Sequence, residues 1–280
     1  MTVVDAEELA LLTETFRKTM TAASGQPLDA AMAELGWHDL LAELPGVAVP
    51  LVFRLLGETG AQAPLLNDVL LVAGGGSPGG VVPLPYAGGG WVVWERSDEP
   101  GTAVDAELPL RRAGHGAALD PVALAAGRRA IGWWLLGTGR AMLALARAHA
   151  VDRVQFGRPI ASFQAVRHRL ADTLVALDGA EAVLAAADEA VLAAAGDVSA
   201  GQEELGALLA KAAAGQAALT AARHCQQVLG GLGFTAEHAL HRHVKRALVL
   251  DGLLGSAREL TREAGRRVIA DGAAPRLIDL

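Results

Sequence analysis

Apolar residues recur at helical spacing along most of the chain, with one interruption. Ala6 to about Ala23 is amphipathic, Leu28 to Leu44 carries a second such pattern, and Pro45-Gly46 and Pro50 punctuate the way out. Between residues 69 and 112 the texture changes. Val69-Leu-Leu-Val72, Gly80-Val-Val-Pro-Leu84, Trp91-Val-Val-Trp94 and Leu108-Pro-Leu-Arg-Arg112 read as short strands. Gly74-Gly-Gly-Ser-Pro-Gly-Gly80 and Gly88-Gly-Gly90 read as the turns between them, which gives a small region of four strands.

From Asp120 onward the helical signal is strong. Asp120-Pro121 supplies an N-cap and a proline for the first turn, and the pattern runs to about Arg153, stopping before Gly157-Arg-Pro159. Ser162 is placed to cap a second helix from Phe163 to about Ala195, ended by Gly196. A third runs from about Gln202 to Leu229 and stops at Gly230-Gly231; shorter ones span about Ala236 to Leu250 and Leu253 to Asp271. Long helices with short links predict an antiparallel bundle. The expected fold is mostly α: N-terminal helices over residues 1–68, a small β region over 69–119 and a long-helix bundle over 120–280.

Composition narrows the function classes. Of 280 residues 52% are hydrophobic and 20% charged, enough apolar material for a large core and too little charge for a disordered chain. Aromatics are only 4%, which favours close-packed helices over a β-sandwich. A net charge of −7 argues against a nucleic-acid partner or an anionic membrane held by bulk charge. Mean hydropathy is +0.31, yet the best candidate span, Ile131 to Ala150, carries Arg140 and Arg147, so no membrane span is expected. The start, Met1-Thr-Val-Val-Asp-Ala-Glu-Glu, shows no basic segment leading into an apolar one, and Cys225 is the single cysteine. A reducing, cytoplasmic setting follows as the expectation.

Candidate chemistry is sparse at first sight. The glycine loop at 74–80 lacks the Lys-Ser/Thr of a phosphate cradle, and no helical pattern opens directly after it. His224, Cys225, Glu237, His238, His241 and His243 form the densest ligand-type cluster, but without a His-Glu-x-x-His or Cys-x-x-Cys spacing, so no metal is expected. A Gly-x-Ser-x-Gly nucleophile elbow is absent. Two segments carry the sharper signal: Arg153-Val-Gln-Phe-Gly-Arg-Pro-Ile-Ala-Ser-Phe-Gln164 and Gln227-Val-Leu-Gly-Gly-Leu-Gly-Phe234.

In that order, and with the flanks Gln164 to Asp172, Ala210-Lys211 and His243-Val-Lys-Arg246, these segments resemble the C-terminal helical bundle of the acyl-CoA dehydrogenase family from about Asp120 to Leu280. The resemblance implies a FAD cofactor whose ADP half is held by these two stretches, often across a subunit interface from the flavin ring. Arg153 is then expected to meet the pyrophosphate, where a planar cation with several donors suits two phosphates. Gln155, Phe156 and Gln164 add polar contact and packing, while Gln227 and the backbone of Val228, Leu229, Gly230 and Gly231 line the other side.

The resemblance also marks what this chain lacks. Family members with one complete active site per chain are longer, and residues 69–112 are too few for the usual flavin-holding β-domain. The N-terminal helices match weakly, around Leu35-Gly-Trp37 and Leu55-Leu-Gly-Glu58. Dehydrogenation needs a carboxylate that takes an α-proton while hydride leaves the β-carbon. At the family's two positions for it this chain has Asp251 and Gly127, so Asp251 is either a shortened base or the cap of the next helix. The resemblance therefore implies the short subunit of a heteromeric, α2β2 acyl-CoA dehydrogenase, whose longer partner carries the base. Its substrate is then an acyl-CoA, a steroid side-chain thioester or a simple fatty acyl thioester, and its acceptor an electron-transfer flavoprotein or similar protein. A self-sufficient enzyme using Asp251 and a non-catalytic scaffold are the alternatives.

Overall fold

The N-terminal helices each bury one narrow apolar edge. In this computed structural model, which describes residues 5–97, 99–193 and 200–272, α1 (Ala6–Ala22) buries Phe16 and Met20, α2 (Gln26–Glu34) Leu28 and Met32, and α3 (Trp37–Glu43) Trp37 and Leu41. All three are i, i+4 pairs, the spacing that stacks two side chains on one helix face. The single pattern expected over Leu28–Leu44 is thus two helices, divided at Leu35-Gly36, where Gly36 takes φ +82°. The prolines read as an exit instead begin and enter a helix: α4 runs Pro45–Thr59, with Pro45 in its first turn and Pro50 inside. In the first turn Pro45 gives up an N–H that has no helical partner anyway, whereas Pro50 gives up one bond inside the helix.

The largest departure from the pattern is at Val69–Val72, which is helix rather than strand. It belongs to α5 (Leu65–Ala73), whose residues Leu65 to Leu70 are all buried. A helix buried all round shows a continuous apolar run, which periodicity cannot tell from a buried strand. Three strands therefore form the sheet, not four. β1 (Pro83–Tyr86), β2 (Gly90–Trp94) and β3 (Leu110–Ala113) pair antiparallel in chain order, with Leu84 opposite Val92 and Val92 opposite Arg112. The glycine loop between α5 and β1 is tied down by Asp68, which is fully buried. The Asp68 carboxylate accepts from Gly79 N–H at 2.8 Å and Trp37 Nε1–H at 3.1 Å, and it pairs with Arg96.

Among the described residues five helices follow the sheet, the first of them 32 residues long. Asp120 caps α6 (Pro121–Asp152), its carboxylate accepting from Val122 and Ala123 N–H. α7 (Gln164–Ala193) and α8 (Ala200–Leu229) complete the long trio; the expected stop at Gly196 lies outside the described residues. α7 begins at Gln164, so Ser162 stands one residue before the cap position, its hydroxyl donating to Pro159 O at 2.7 Å. α9 (Leu240–Gly252) and α10 (Ala257–Asp271) start four residues later than the pattern suggests. Ser256 and Glu259 form a reciprocal capping box at α10.

One core joins all of this except α10, whose Leu260 packs in a separate small cluster with Leu208 and Ala212 of α8. α4 and α6 cross so closely that a β-carbon on Gly57 or Gly137 would run into the other helix's backbone. Trp37, Phe53, Trp134 and Trp94 meet in sequence with centroids 6.4, 5.7 and 5.4 Å apart, the first two contacts tilted and edge-on and the last stacked, linking α3, α4, α6 and β2. Among the described residues one stretch, Glu203–Phe234, is long and apolar enough to cross a membrane, and 67% of its apolar window is buried inside the fold. The architecture is mostly α, with N-terminal helices, a small sheet and a long-helix bundle, as the sequence predicts.

Candidate functional site

Cross-links between the long helices fix which ends lie together. Trp133 Nε1–H donates to Asp188 at 2.7 Å and Arg140 pairs with Asp178, so α6 and α7 are antiparallel. The Thr173 hydroxyl and His224 Nδ1, 2.8 Å apart, make α7 and α8 antiparallel as well. Arg129 near the start of α6 reaches Glu203 near the start of α8. The C-terminal ends of α6 and α8 therefore share one end of the bundle, and the segments 153–164 and 227–234 project from it.

The first segment folds into a two-residue hairpin. β4 (Val154–Gln155) pairs with β5 (Arg158–Pro159), and the turn residues Phe156 and Gly157 take φ of 54° and 77°. Left-handed backbone at a phenylalanine is strained, and this ring is 92% exposed. Among the described residues its one ring contact is edge-on with Phe163 at 6.0 Å, over which the Arg158 guanidinium sits at 4.4 Å. Packing inside this chain does not account for such a side chain; a surface laid against it would. Arg153 is exposed, and its side chain makes no ion pair among the described residues. Gln155 donates to Val154 O at 2.8 Å, and Gln164 Nε2 lies 3.3 Å from His168.

The second segment presents backbone. Gln227 is exposed, whereas Val228 and Leu229 turn their side chains inward at 8% and 5% exposure. The three glycines that follow differ in what they require. Gly230 takes φ +61°, and a β-carbon on Gly233 would stand 2.7 Å from Gln226 O. Gly231 has neither constraint: its φ is ordinary and a β-carbon there meets nothing. The fold does not require that glycine, and the backbone there is open to close approach. Unpaired cations, exposed amides, a bare aromatic and open backbone are the donor set that suits the phosphates and base of a dinucleotide, so the residues present fit FAD's ADP half.

The two positions for a catalytic carboxylate tell a different story. A β-carbon on Gly127 would lie 2.6 Å from Leu70 and 2.8 Å from Leu254, so that space is filled. Asp251 Oδ1 accepts the N–H of Ala257 at 3.0 Å, tying the end of α9 to the start of α10 beside the Ser256 cap. The loop between them reaches the sheet: Leu254 N–H donates to Pro85 O at 2.8 Å, and Tyr86 packs against Gly252. Burial, with the Asp251 charge adding to it, raises the Tyr86 hydroxyl above its ordinary value.

Two buried cations hold this loop from behind, and sequence reasoning assigned neither a role. Arg128 Nε–H donates to Leu254 O at 3.2 Å. Lys211, fully buried on α8, donates to Asp251 O at 3.0 Å and Gly255 O at 2.5 Å. Burial drives the Lys211 ammonium from 10.5 down to about 7. A base with a depressed folded value binds its proton more readily when unfolded, so its contribution to stability rises with pH between about 7 and 10.5. The full-length chain is expected to gain unfolding free energy between pH 7.5 and 9, approaching 1.4 kcal/mol per pH unit, roughly the linkage maximum for one group. Lys211→Met should flatten that slope in denaturant melts; an unchanged slope would show that another group sets it.

The histidine cluster disperses into structural contacts. His238 Nδ1 accepts Leu240 N–H at 3.1 Å, and burial lowers His243 to about 4, which keeps it neutral. Among the described residues no three His, Cys, Asp or Glu side chains gather to hold a metal ion.

A family model described as acyl-CoA dehydrogenase, C-terminal domain, matches residues 114–269. Among curated proteins, acyl-CoA dehydrogenase FadE34 of Mycobacterium tuberculosis is 39% identical over 224 residues, which cover 76% of this chain and 30% of that protein. Among solved structures, one from the ChsE4-ChsE5 complex of Mycobacterium tuberculosis matches at TM-score 0.72 and 20% identity, covering 99% of each chain. A steroid ACAD, Tcur3481-Tcur3483, matches at TM-score 0.71 and 21% identity, covering 96% of this chain and 99% of the other. At those identities the structural likenesses show the fold. The chain spans about a third of the length of the curated relatives it matches.

Proposed function

The chain belongs to the acyl-CoA dehydrogenase family, and from that premise we propose that it is the FAD-site-sharing subunit of a heteromeric acyl-CoA dehydrogenase. One contrast carries the reading: the bundle end with Arg153 and Gly231 stands open, while the two positions for a base hold a filled Gly127 and a helix-tying Asp251. Support also comes from the fold neighbours, one of them titled as the ChsE4-ChsE5 complex. The 224 residues matched in FadE34 are 30% of it, so that protein carries more than twice as much chain again outside the match.

In this reading Arg153 binds the pyrophosphate, Phe156 covers the adenine side, and Gln155, Gln164 and Gln227 supply amide contacts. Val228 to Gly231 offer backbone N–H groups where no side chain intervenes. Bound flavin supplies hydride acceptance. The partner subunit brings the carboxylate that takes the α-proton, and an electron-transfer flavoprotein or similar protein accepts the electrons. The substrate is a CoA thioester; a steroid side-chain acyl group is favoured because one fold neighbour is titled a steroid ACAD, with a fatty acyl group as the alternative.

The test is purification with and without a longer family member from the same genome. Alone, the chain should lack the flavin absorbance band; co-expressed, the complex should carry it and dehydrogenate an acyl-CoA. Asp251→Asn in that complex should leave turnover within about twofold, far from the factor of 100 or more lost with a base. A flavin-loaded, fully active homomer, or abolished turnover in Asp251→Asn, would instead make this chain self-sufficient. A colourless complex would make it a scaffold.

A further inference from the structure

The start of α4 meets the end of α7 at a glycine. A β-carbon on Gly46 would lie 2.9 Å from Leu192, and both residues line a cavity of about 320 Å³ among the helices α3 to α8. Its wall is mostly apolar, with Leu41, Val49, Val69, Val72 and Val191. Three lining groups are charged: Arg129 from α6, Asp188 from α7 and Glu203 from α8. Neither Gly127 nor Asp251 lines this cavity. Arg129 also stands near the start of α6 and Arg153 just past its end, about 36 Å apart along the helix axis.

The charges in the cavity do not balance. Arg129 Nε meets Asp188 Oδ1 at 3.1 Å and its Nη1 meets Glu203 Oε1 at 3.0 Å, and among the described residues no second cation pairs with either acid. The side chains of Arg129, Asp188 and Glu203 are only 11%, 15% and 20% exposed, so water does little to spread the surplus negative charge. Trp133 Nε1–H donates to the second Asp188 oxygen at 2.7 Å. Burial still outweighs the help of Trp133 and Arg129 and raises the Asp188 carboxyl above its ordinary value. A further cation beside the pair would lower the cost of that charge, and in apolar surroundings the attraction exceeds that at an open surface. A hollow of this size, apolar with a few polar groups, has the make-up of a small-molecule site.

We propose that this cavity binds a small hydrophobic amine in its protonated form. The ammonium meets Asp188 and Glu203 beside Arg129, so that two cations face two carboxylates. The hydrocarbon body lies on Leu41, Val49, Val69, Val72 and Val191. Such a site goes beyond the subunit role proposed above and stands whether or not that role does.

Three probes of one shape test it by calorimetric titration of the full chain at neutral pH: cyclohexylamine, cyclohexanol and cyclohexanecarboxylate. Saturable binding is expected for the amine, binding at least roughly tenfold weaker for the alcohol, and none for the carboxylate, since only the head group differs. Glu203→Gln removes the surplus charge at nearly constant shape. It should weaken the amine about tenfold and leave the alcohol as it was. Ala126→Leu fills the cavity from α6 and should abolish amine binding. Circular dichroism and the melting temperature show whether that variant folds, and Ala73→Leu on α5 replaces it if it does not. No saturation by the amine up to about 10 mM overturns the proposal. So does equal binding of amine and alcohol, or amine binding kept in the folded, cavity-filled variant. Arg153→Ala should bind the amine as the wild type does; loss there would move the amine to the far end of the bundle and equally overturn the proposal.

Discussion

Arg246→Met is expected to destabilise the chain by about 3–5 kcal/mol, the usual consequence of stranding a buried charge. Arg246 is 1% exposed and Asp105 not at all, and they meet at 2.5 Å through Nε. The rest of the guanidinium is spoken for: Nη1 donates to Gly60 O and Ala61 O at 3.2 and 3.0 Å, and Nη2 to Glu107 at 3.0 Å. One side chain on α9 thus fastens the end of α4 and the segment leading into β3. Methionine fills the volume but leaves the Asp105 carboxylate without its countercharge and two carbonyls without donors. Denaturant unfolding of wild type, Arg246→Met, Asp105→Asn and the double variant checks this. The double variant should lose clearly less than the sum of the single losses, because each single change strands the other's charge. Additive losses would mean that the pair is not the unit.

The case also shows what one-dimensional reading reaches. Arg246 stood out within a spaced motif, yet its partner lies 141 positions away and nothing local points to it. Features whose chemistry is local were readable. Asp120-Pro121 announces α6 because a carboxylate cap and an N-terminal proline act within one turn. Val69–Val72 was not, because burial on every side of α5 erases the period that separates helix from strand. Pro45 misled for a related reason: proline ends one helix and begins the next with the same fixed φ, and only the chain on either side decides.

The candidate site divides along the same line. Helix order and short links were enough to bring residues 153–164 and 227–234 to one end of the bundle. The role of Asp251 needed Ala257 six positions on, and Lys211 needed two carbonyls of that loop about 40 residues away.

Arg153→Ala should lower the affinity of the assembled complex for FAD by about 10- to 100-fold, the range for losing one charge-assisted contact of 1.5–3 kcal/mol. The residue is well suited to show such an effect without confusion from folding. Its side chain makes no ion pair within the chain among the described residues, whereas its backbone is fixed by His149 O at 2.9 Å and Ile160 N–H at 2.8 Å. Alanine keeps those backbone bonds, so the hairpin and α6 should survive and the melting temperature of the chain should hardly move. Lysine at the same place should recover only part of the affinity, since a point charge cannot reproduce a planar fork on two phosphates. The measurements are flavin content per complex after dialysis and the FAD concentration that restores half-maximal turnover. Full flavin retention in Arg153→Ala would remove the bundle end from the cofactor site and leave its exposed Phe156 as a contact for protein alone. Loss of flavin with assembly intact would set this residue against the pyrophosphate, and loss of both would make FAD part of what joins the subunits.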